Sequence, residues 1–147
     1  AGERTVIGSG DLFSAAACVR MLTQTGVDGV SVSRGAIGNP WIFSQARALL
    51  EGHPLPPPPT VYEQREVLRE HWTLAEELHG EFAASRSMRK FAIKYARCHP
   101  DHLAVRDTFV AVTSAADWQH VLDRFYSADG PGRDPACDID ETADCGT

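Results

Sequence analysis

The sequence predicts an α/β segment followed by a small all-helical bundle. Two short β-branched runs near the start, Thr5-Val6-Ile7 and Gly29-Val30-Ser31-Val32, each pass into a glycine-bearing loop. The stretch between them carries helix signals at both ends, giving the strand, loop, helix, strand spacing of one βαβ unit with parallel strands. Residues 53–59 then hold five prolines, four of them consecutive, and everything downstream reads as helix. The proline run is a stiff, extended linker and the clearest boundary in the chain.

Taken in order, residues 5–7 form the first strand. Ser14 is placed to cap a helix over 14–25, with Gly26 as its stop and Val19, Met21 and Leu22 on its apolar side. Residues 29–32 form the second strand. Asn39-Pro40 is a helix start, with Asn at the cap and Pro at the first helical position. That helix carries Trp41, Ile42, Ala46, Leu49 and Leu50 and ends at Gly52. Beyond the linker, Thr60 and Glu63 form a capping box for a helix reaching about His79, stopped by Gly80. Further helices are expected over 81–98, 103–112 and, from a capping-box-like start at Ser114 and Asp117, through about 126. The organisation expected is therefore 1–52, an incomplete α/β part; 53–59, the linker; 60–127, a helical domain; and 128–147, a disordered acidic tail. Two parallel strands cannot bury both faces, so partner strands are expected to be missing. The opening Ala1-Gly2-Glu3-Arg4, which lacks a methionine and a leader-like segment and enters a strand at once, is what a chain cut from a longer one would show.

The hydrophobic content of 43% and charge of 23% are ordinary for a globular protein. No apolar run approaches the roughly 20 residues of a membrane span. The net charge of −6 is concentrated at the end of the chain. From Ala128 onward six acids stand against the single base Arg133, which accounts for −5. The remainder is nearly neutral and can carry a basic face. The four cysteines, Cys18, Cys98, Cys137 and Cys145, include no C-x-x-C pair and suit free thiols in a reducing cytoplasm. Cys98, His99 and His102 supply too few ligands for a metal, so none is expected.

Gly8-Ser9-Gly10 puts small residues where a strand ends and a helix approaches, an arrangement that lets backbone N–H groups reach an anion. The dinucleotide fingerprint needs another glycine where Phe13 stands, which argues against a Rossmann site. By itself the loop is equally an ordinary turn. Asp11 would repel a phosphate dianion, so it is expected to bond loop amides and fix the turn. After the second strand, Ser33 offers a hydroxyl, Arg34 a guanidinium fork matched to phosphate oxygens, and Gly35 close approach. Alone, this is no more than a surface arginine in a loop. As a pair after adjacent parallel strands, the loops fit the phosphate corner of a (β/α)₈ barrel, which forms after its seventh and eighth strands. The fold class expected is thus the last two βα units of a (β/α)₈ TIM barrel, followed by a small C-terminal helical bundle.

The helix expected over 81–98 carries Arg86, Arg89, Lys90, Lys94 and Arg97 within twelve positions free of acids. At about 100° per residue they fall within an arc of roughly 140°, with Met88, Phe91, Ala92 and Tyr95 opposite. Amphipathicity explains why charge faces water but not why all of it is positive; contact with a nucleic-acid backbone would, and by itself the arc is equally an ordinary solvated face.

Ile7-Gly8-Ser9-Gly10-Asp11, Thr25-Gly26-Val27-Asp28-Gly29-Val30 and Arg34-Gly35-Ala36-Ile37-Gly38-Asn39-Pro40-Trp41-Ile42-Phe43 resemble the end of the barrel in tRNA-dihydrouridine synthases. Gly80-Glu81 and Met88-Arg89-Lys90 with Tyr95 are similar to the signature of that family's C-terminal helical domain, and the likeness is to its bacterial branch. The resemblance covers residues 5 to about 127. It implies a flavoprotein oxidoreductase that uses FMN, reduced by NADPH, to reduce the C5=C6 bond of uridines in tRNA, as a cytoplasmic monomer when full length. The family's FMN-phosphate loops fall on Ser9, Gly10, Asp11, Ser33 and Arg34, and its helical domain helps hold tRNA, in keeping with Arg86, Arg89, Lys90, Lys94 and Arg97. This sequence departs from the family pattern in having Ser9 for Asn, Ser33 for Gly and Phe91 for His. The family's proton-donating cysteine lies in an earlier part of the barrel, and neither Cys18 nor Cys98 matches it, so no catalytic residue is assigned in this chain. Two other readings stay open: a non-catalytic RNA-binding module, and an FMN barrel oxidoreductase acting on a small molecule.

Overall fold

The computed structural model describes residues 4–138. The described residues divide into two compact units, one made of the residues up to Pro57 together with those from Ala136 onward, the other spanning Pro58–Pro135. Among the described residues no helix is long and apolar enough to cross a membrane.

The first unit is built on two three-residue strands. β1 (Ile7–Ser9) and β2 (Gly29–Ser31) are parallel, with Ile7 opposite Gly29 and Ser9 opposite Ser31. The Asp28 carboxylate accepts the Val6 N–H at 2.7 Å and the Asp28 N–H donates to the Val6 carbonyl at 2.9 Å, clamping the lower end of the pair. Between the strands lies α1 (Ala15–Thr25), opened by the Ser14 hydroxyl, which accepts the Ala17 N–H, and closed by Gly26 at φ 71°. α2 (Ile42–Leu50) packs on α1. Leu12, Cys18 and Ile42 are buried between these elements, with Met21, Val30 and Ala46 against them. Gly8 lets α1 lie close on the strand, since a Cβ there would stand 2.7 Å from the Met21 sulfur and force that side chain to shift.

Three local expectations are corrected. β1 begins at Ile7 and includes Gly8 and Ser9, because strand pairing continues as far as β2 offers partners. β2 ends at Ser31, one residue short of Val32. Asn39 does not cap α2. Pro40 and Trp41 form a turn, the helix starts at Ile42, and the Asn39 side chain is buried with its Oδ1 lacking a hydrogen-bond partner.

The second unit is helical: α3 (Val61–His79), α4 (Glu81–Tyr95), α5 (His102–Val110) and α6 (Ala115–Phe125). The fourth begins at a capping box in which the Asp117 carboxylate accepts from the Ser114 N–H while Ser114 Oγ accepts from the Asp117 N–H. Hydrogen bonds, led by the one from the Thr113 backbone, hold the Asp117 carboxyl below its usual range. α3 opens on the same device, with Thr60 N–H to Glu63 at 2.7 Å and Glu63 N–H to Thr60 at 3.3 Å. Only Gly80, at φ 77°, separates α3 from α4, and the two helices pack along each other. A 3-10 turn, Ala96–Cys98, extends α4, which explains why the sequence pattern runs unbroken to 98. The core is aromatic: Trp72 stacks on Trp118 with centroids 4.7 Å apart, and Phe109 leans on Trp118 at 5.2 Å.

The stretch from 128 was expected to be disordered. Its first part is held down instead. The Gly130 carbonyl accepts the Val61 N–H, Asp129 accepts the Tyr62 N–H at 3.0 Å, and the Arg133 N–H donates to the Cys98 carbonyl at 2.8 Å. Gly132 lies so close to the Pro59 carbonyl that no side chain fits, and the buried Gln64 amide donates to both Pro59 and Cys98 carbonyls at 2.9 Å. These backbone groups at the helix termini need partners, and the strap supplies them. The remainder of the expected tail, 139–147, lies outside the described residues.

His99 is locked between two such termini. Its Nδ1 accepts the Asp101 N–H at 2.9 Å, which leaves Nε2 to donate to the Phe125 carbonyl at 2.9 Å as a neutral imidazole. Burial pushes its pKa below the ordinary histidine value, as it does that of His71, which packs on Phe91. A base with a depressed folded pKa leaves the fold at full stability above its unfolded value, about 6.5, and erodes it as pH falls from there toward the folded value. The thermal midpoint should therefore drop between pH 7 and 5.5, and His99→Gln should lower it at pH 7 while flattening that dependence. An unchanged pH profile in the variant would contradict this assignment.

Candidate functional site

The two strand ends of the first unit meet at one pocket of about 160 Å³, lined by Ser9, Gly10, Asp11, Leu12, Phe13, Ser31, Ser33, Arg34 and Gly35. All five residues singled out as a phosphate corner, Ser9, Gly10, Asp11, Ser33 and Arg34, are brought together there. The parallel register does this: Ser9 and Ser31 are partners, the Ser9 hydroxyl donates to the Ser31 carbonyl at 3.3 Å, and both loops leave from the same sheet end.

What fixes the loops to each other is Gly35. A Cβ at this position would overlap the Leu12 carbonyl oxygen and crowd Phe13 Cα at 3.0 Å. The glycine was expected to admit a ligand; it admits the neighbouring loop. Leu12, immediately after the bend, is buried and anchors that loop in the core. Gly10 at φ 131° and Asp11 at φ 45° make the bend, both in the left-handed half of conformational space that favours glycine and is tolerated by aspartate.

Asp11 does not bond the amides of its own loop, as the sequence led us to expect. Its Oδ1 accepts from Arg34 Nη2 at 2.8 Å, across the two loops. The pair is open to solvent, with side-chain exposures of 56% for Arg34 and 72% for Asp11, so it contributes at most about 1 kcal/mol and serves mainly to aim the guanidinium. Phe13 supports it from below, with the Arg34 guanidinium carbon 5.4 Å from the ring centroid. The pocket thus offers an arginine guanidinium held in place by Asp11, with serine hydroxyls and a glycine backbone beside it, a set of groups suited to a phosphate monoester. Ser33, before the 3-10 turn Arg34–Ala36, makes no side-chain cap bond there. Sequence reading missed Leu12, Phe13 and Ser31; the apolar pair following Gly-Asp and the polar residue opposite Ser9 were the available signals.

In the second unit, α4 and its 3-10 extension present the basic residues on one side. Arg86, Lys90 and Lys94 are exposed, Arg89 and Arg97 half-buried, while Met88, Ala92 and Tyr95 face the core. Phe91, where the related pattern has His, packs against His71 with centroids 5.0 Å apart and takes an apolar role. Cys98 is buried, and burial pushes its thiol up to about 12, so it is no thiolate nucleophile at neutral pH. Burial likewise raises Cys18. Both ring nitrogens of His99 are engaged by backbone groups. Among the described residues no group of three or more His, Cys, Asp or Glu side chains is placed to hold a metal ion.

The geometry separates two substitutions. Gly35→Ala should cost about 1–3 kcal/mol through overpacking and raise hydrogen exchange across 30–36. Asp11→Ala should leave that exchange nearly unchanged, since it removes only an exposed ion pair. Equal protection in wild type and Gly35→Ala would refute the close approach as the joint between the loops.

Comparison with known proteins bears on what this corner belongs to. The family model described as "Dihydrouridine synthase (Dus)" matches residues 3–128. The chain is 35% identical over 119 residues to a probable tRNA-dihydrouridine synthase of Mycobacterium tuberculosis, covering 81% of this chain and 31% of that protein. It is 39% identical over 124 residues to a probable tRNA-dihydrouridine synthase of Treponema pallidum, covering 82% and 35%. With tRNA-dihydrouridine synthase B of Shewanella oneidensis it shares 36% over 121 residues, covering 82% and 37%. The chain therefore spans about a third of the length of these relatives. On the match of the family model to most of its length, the chain belongs to the dihydrouridine synthase family.

Proposed function

We propose that this chain is the C-terminal part of a flavin-dependent tRNA-dihydrouridine synthase, comprising the closing βα units of a (β/α)₈ barrel and a helical tRNA-holding domain. The observation that carries this reading is the single pocket to which both strand-end loops contribute, with Arg34 aimed into it by Asp11. Its donor set fits the phosphate of FMN, with Arg34, Ser9 and Ser33 as side-chain ligands and Gly10 contributing backbone. Asp11 acts on Arg34 and not on the phosphate. Bound FMN, kept reduced by NADPH, would supply the reducing equivalents for the uridine C5=C6 bond. This chain's share is to hold the phosphate end of that cofactor and to grip RNA. Proton donation and contact with the flavin ring fall to residues outside this sequence.

The barrel reading is supported by what the first unit leaves uncovered. Among the described residues β1 and β2 pair only with each other, and Val6, Ile7, Ile37, Phe43 and Leu50 are exposed apolar side chains. Such edges and faces call for further strands and helices. Cys18 and Cys98, both buried and neither in a disulfide, are in keeping with work in a reducing cytoplasm.

Two measurements test the proposal. The complete product of the gene that encodes this sequence should bind FMN and form dihydrouridine in tRNA with NADPH; a flavin-loaded protein that forms none would overturn the activity. Replacing Arg86, Lys90 and Lys94 together by Glu should weaken tRNA binding and lower the slope of log affinity against log salt by about one per cation removed. An unchanged slope would remove α4 from the RNA interface.

A further inference from the structure

One side chain on α4 fits neither the helical core nor a simple charged surface. Phe82 is 75% exposed, an unusual state for a large aromatic residue. It sits four residues before Arg86, one helical turn or about 6 Å along the axis. At about 100° per residue its direction falls between those of Arg89 and Arg86, inside the basic arc rather than beside it. The Arg86 guanidinium carbon lies 5.7 Å from its ring centroid, so ring and cation form one unit. Nothing in the fold of this unit needs Phe82 there: Ala84 and Met88 supply the buried contacts of this part of the helix.

We propose that Phe82 is a nucleobase-stacking residue, which receives one unpaired base of the bound RNA while Arg86 and the cations beyond it follow the backbone. An exposed ring bracketed by cations suits this ligand chemically. The ring offers a flat apolar face to a base, the arginine adds a cation–π contribution, and the charges neutralise the adjoining phosphates. A protein partner would find the same ring inside a positive stripe, where apolar docking is disfavoured by the cost of burying the neighbouring charges. Leu74 and Leu78, at 50% and 75% exposure, precede the same turn on α3 and offer an apolar partner a pair of exposed side chains outside the basic arc. Phe82 therefore sets where a single-stranded or flipped-out nucleotide sits along the helix, while the cations set how tightly the strand is held.

The inference rests on the RNA reading of α4, and its test separates the two. The complete gene product carrying Phe82→Ala, Phe82→Leu or Phe82→Trp is titrated into a labelled tRNA transcript over a range of salt. Stacking predicts that Ala and Leu each weaken binding roughly tenfold and that Trp retains it. The slope of log affinity against log salt should stay at the wild-type value in all three, because no charge changes. Full affinity in Phe82→Ala would overturn the proposal. Full affinity in Phe82→Leu with loss in Ala would show an apolar contact instead of stacking, and would overturn it too. Wild-type protein without salt-dependent tRNA binding would overturn the RNA reading and this inference with it. Because Phe82 is so exposed, none of these substitutions threatens the fold.

Discussion

The first unit depends on one close approach, the backbone of Gly35 against the carbonyl of Leu12. Two separate loops become one pocket only because residue 35 has no Cβ to hold them apart. Everything polar at the site follows from that joint. It brings Arg34 within 2.8 Å of Asp11, lets Phe13 support the guanidinium, and sets Ser9 and Ser33 in one pocket lining. The ion pair could not make this arrangement unaided, since solvent screens both partners. The apolar anchor Leu12 and the absent side chain at 35 carry the geometry; the charges exploit it.

The helical unit solves a different problem. Its helix ends would leave backbone groups unpaired, and several are met by a few well-placed polar groups rather than by length of helix. The two capping boxes start α3 and α6, Gln64 ties the Pro59 and Cys98 carbonyls together, His99 joins the Phe125 carbonyl to the Asp101 N–H, and the stretch 127–133 closes over the start of α3. With these ends satisfied, α4 can devote one side to the core and leave the other free to be basic. That division of labour leaves Phe82 exposed without any buried contact of the unit depending on it.

Much of this was legible in the sequence, for local reasons. Ser14, Gly26, Thr60, Glu63, Gly80 and Ser114 mark helix ends through side-chain bonds and backbone conformations that depend only on near neighbours. The basic arc was legible because helical periodicity is fixed. What failed were features decided over long sequence distances. Asn39 looked like a cap, yet packing draws it inside and the helix begins later. Asp11 looked bound to its own loop, but its partner is 23 residues away. Gly35 pointed to a ligand and met Leu12. The acidic stretch from 128 has the composition of disorder, yet its glycine, Gly132, is the residue small enough to dock beside Pro59. Composition reports average behaviour; a single close contact decides the segment.

The central claim is that this corner recognises the phosphate of a flavin cofactor through Arg34. The most direct measurement compares FMN with riboflavin, which carries the same ring but no phosphate, binding to the complete gene product and to its Arg34→Ala variant. Charge-assisted hydrogen bonds of this kind predict that the wild type prefers FMN by on the order of tenfold to a hundredfold, and that Arg34→Ala removes most of the preference. Equal affinity of the wild-type protein for FMN and riboflavin would contradict the account.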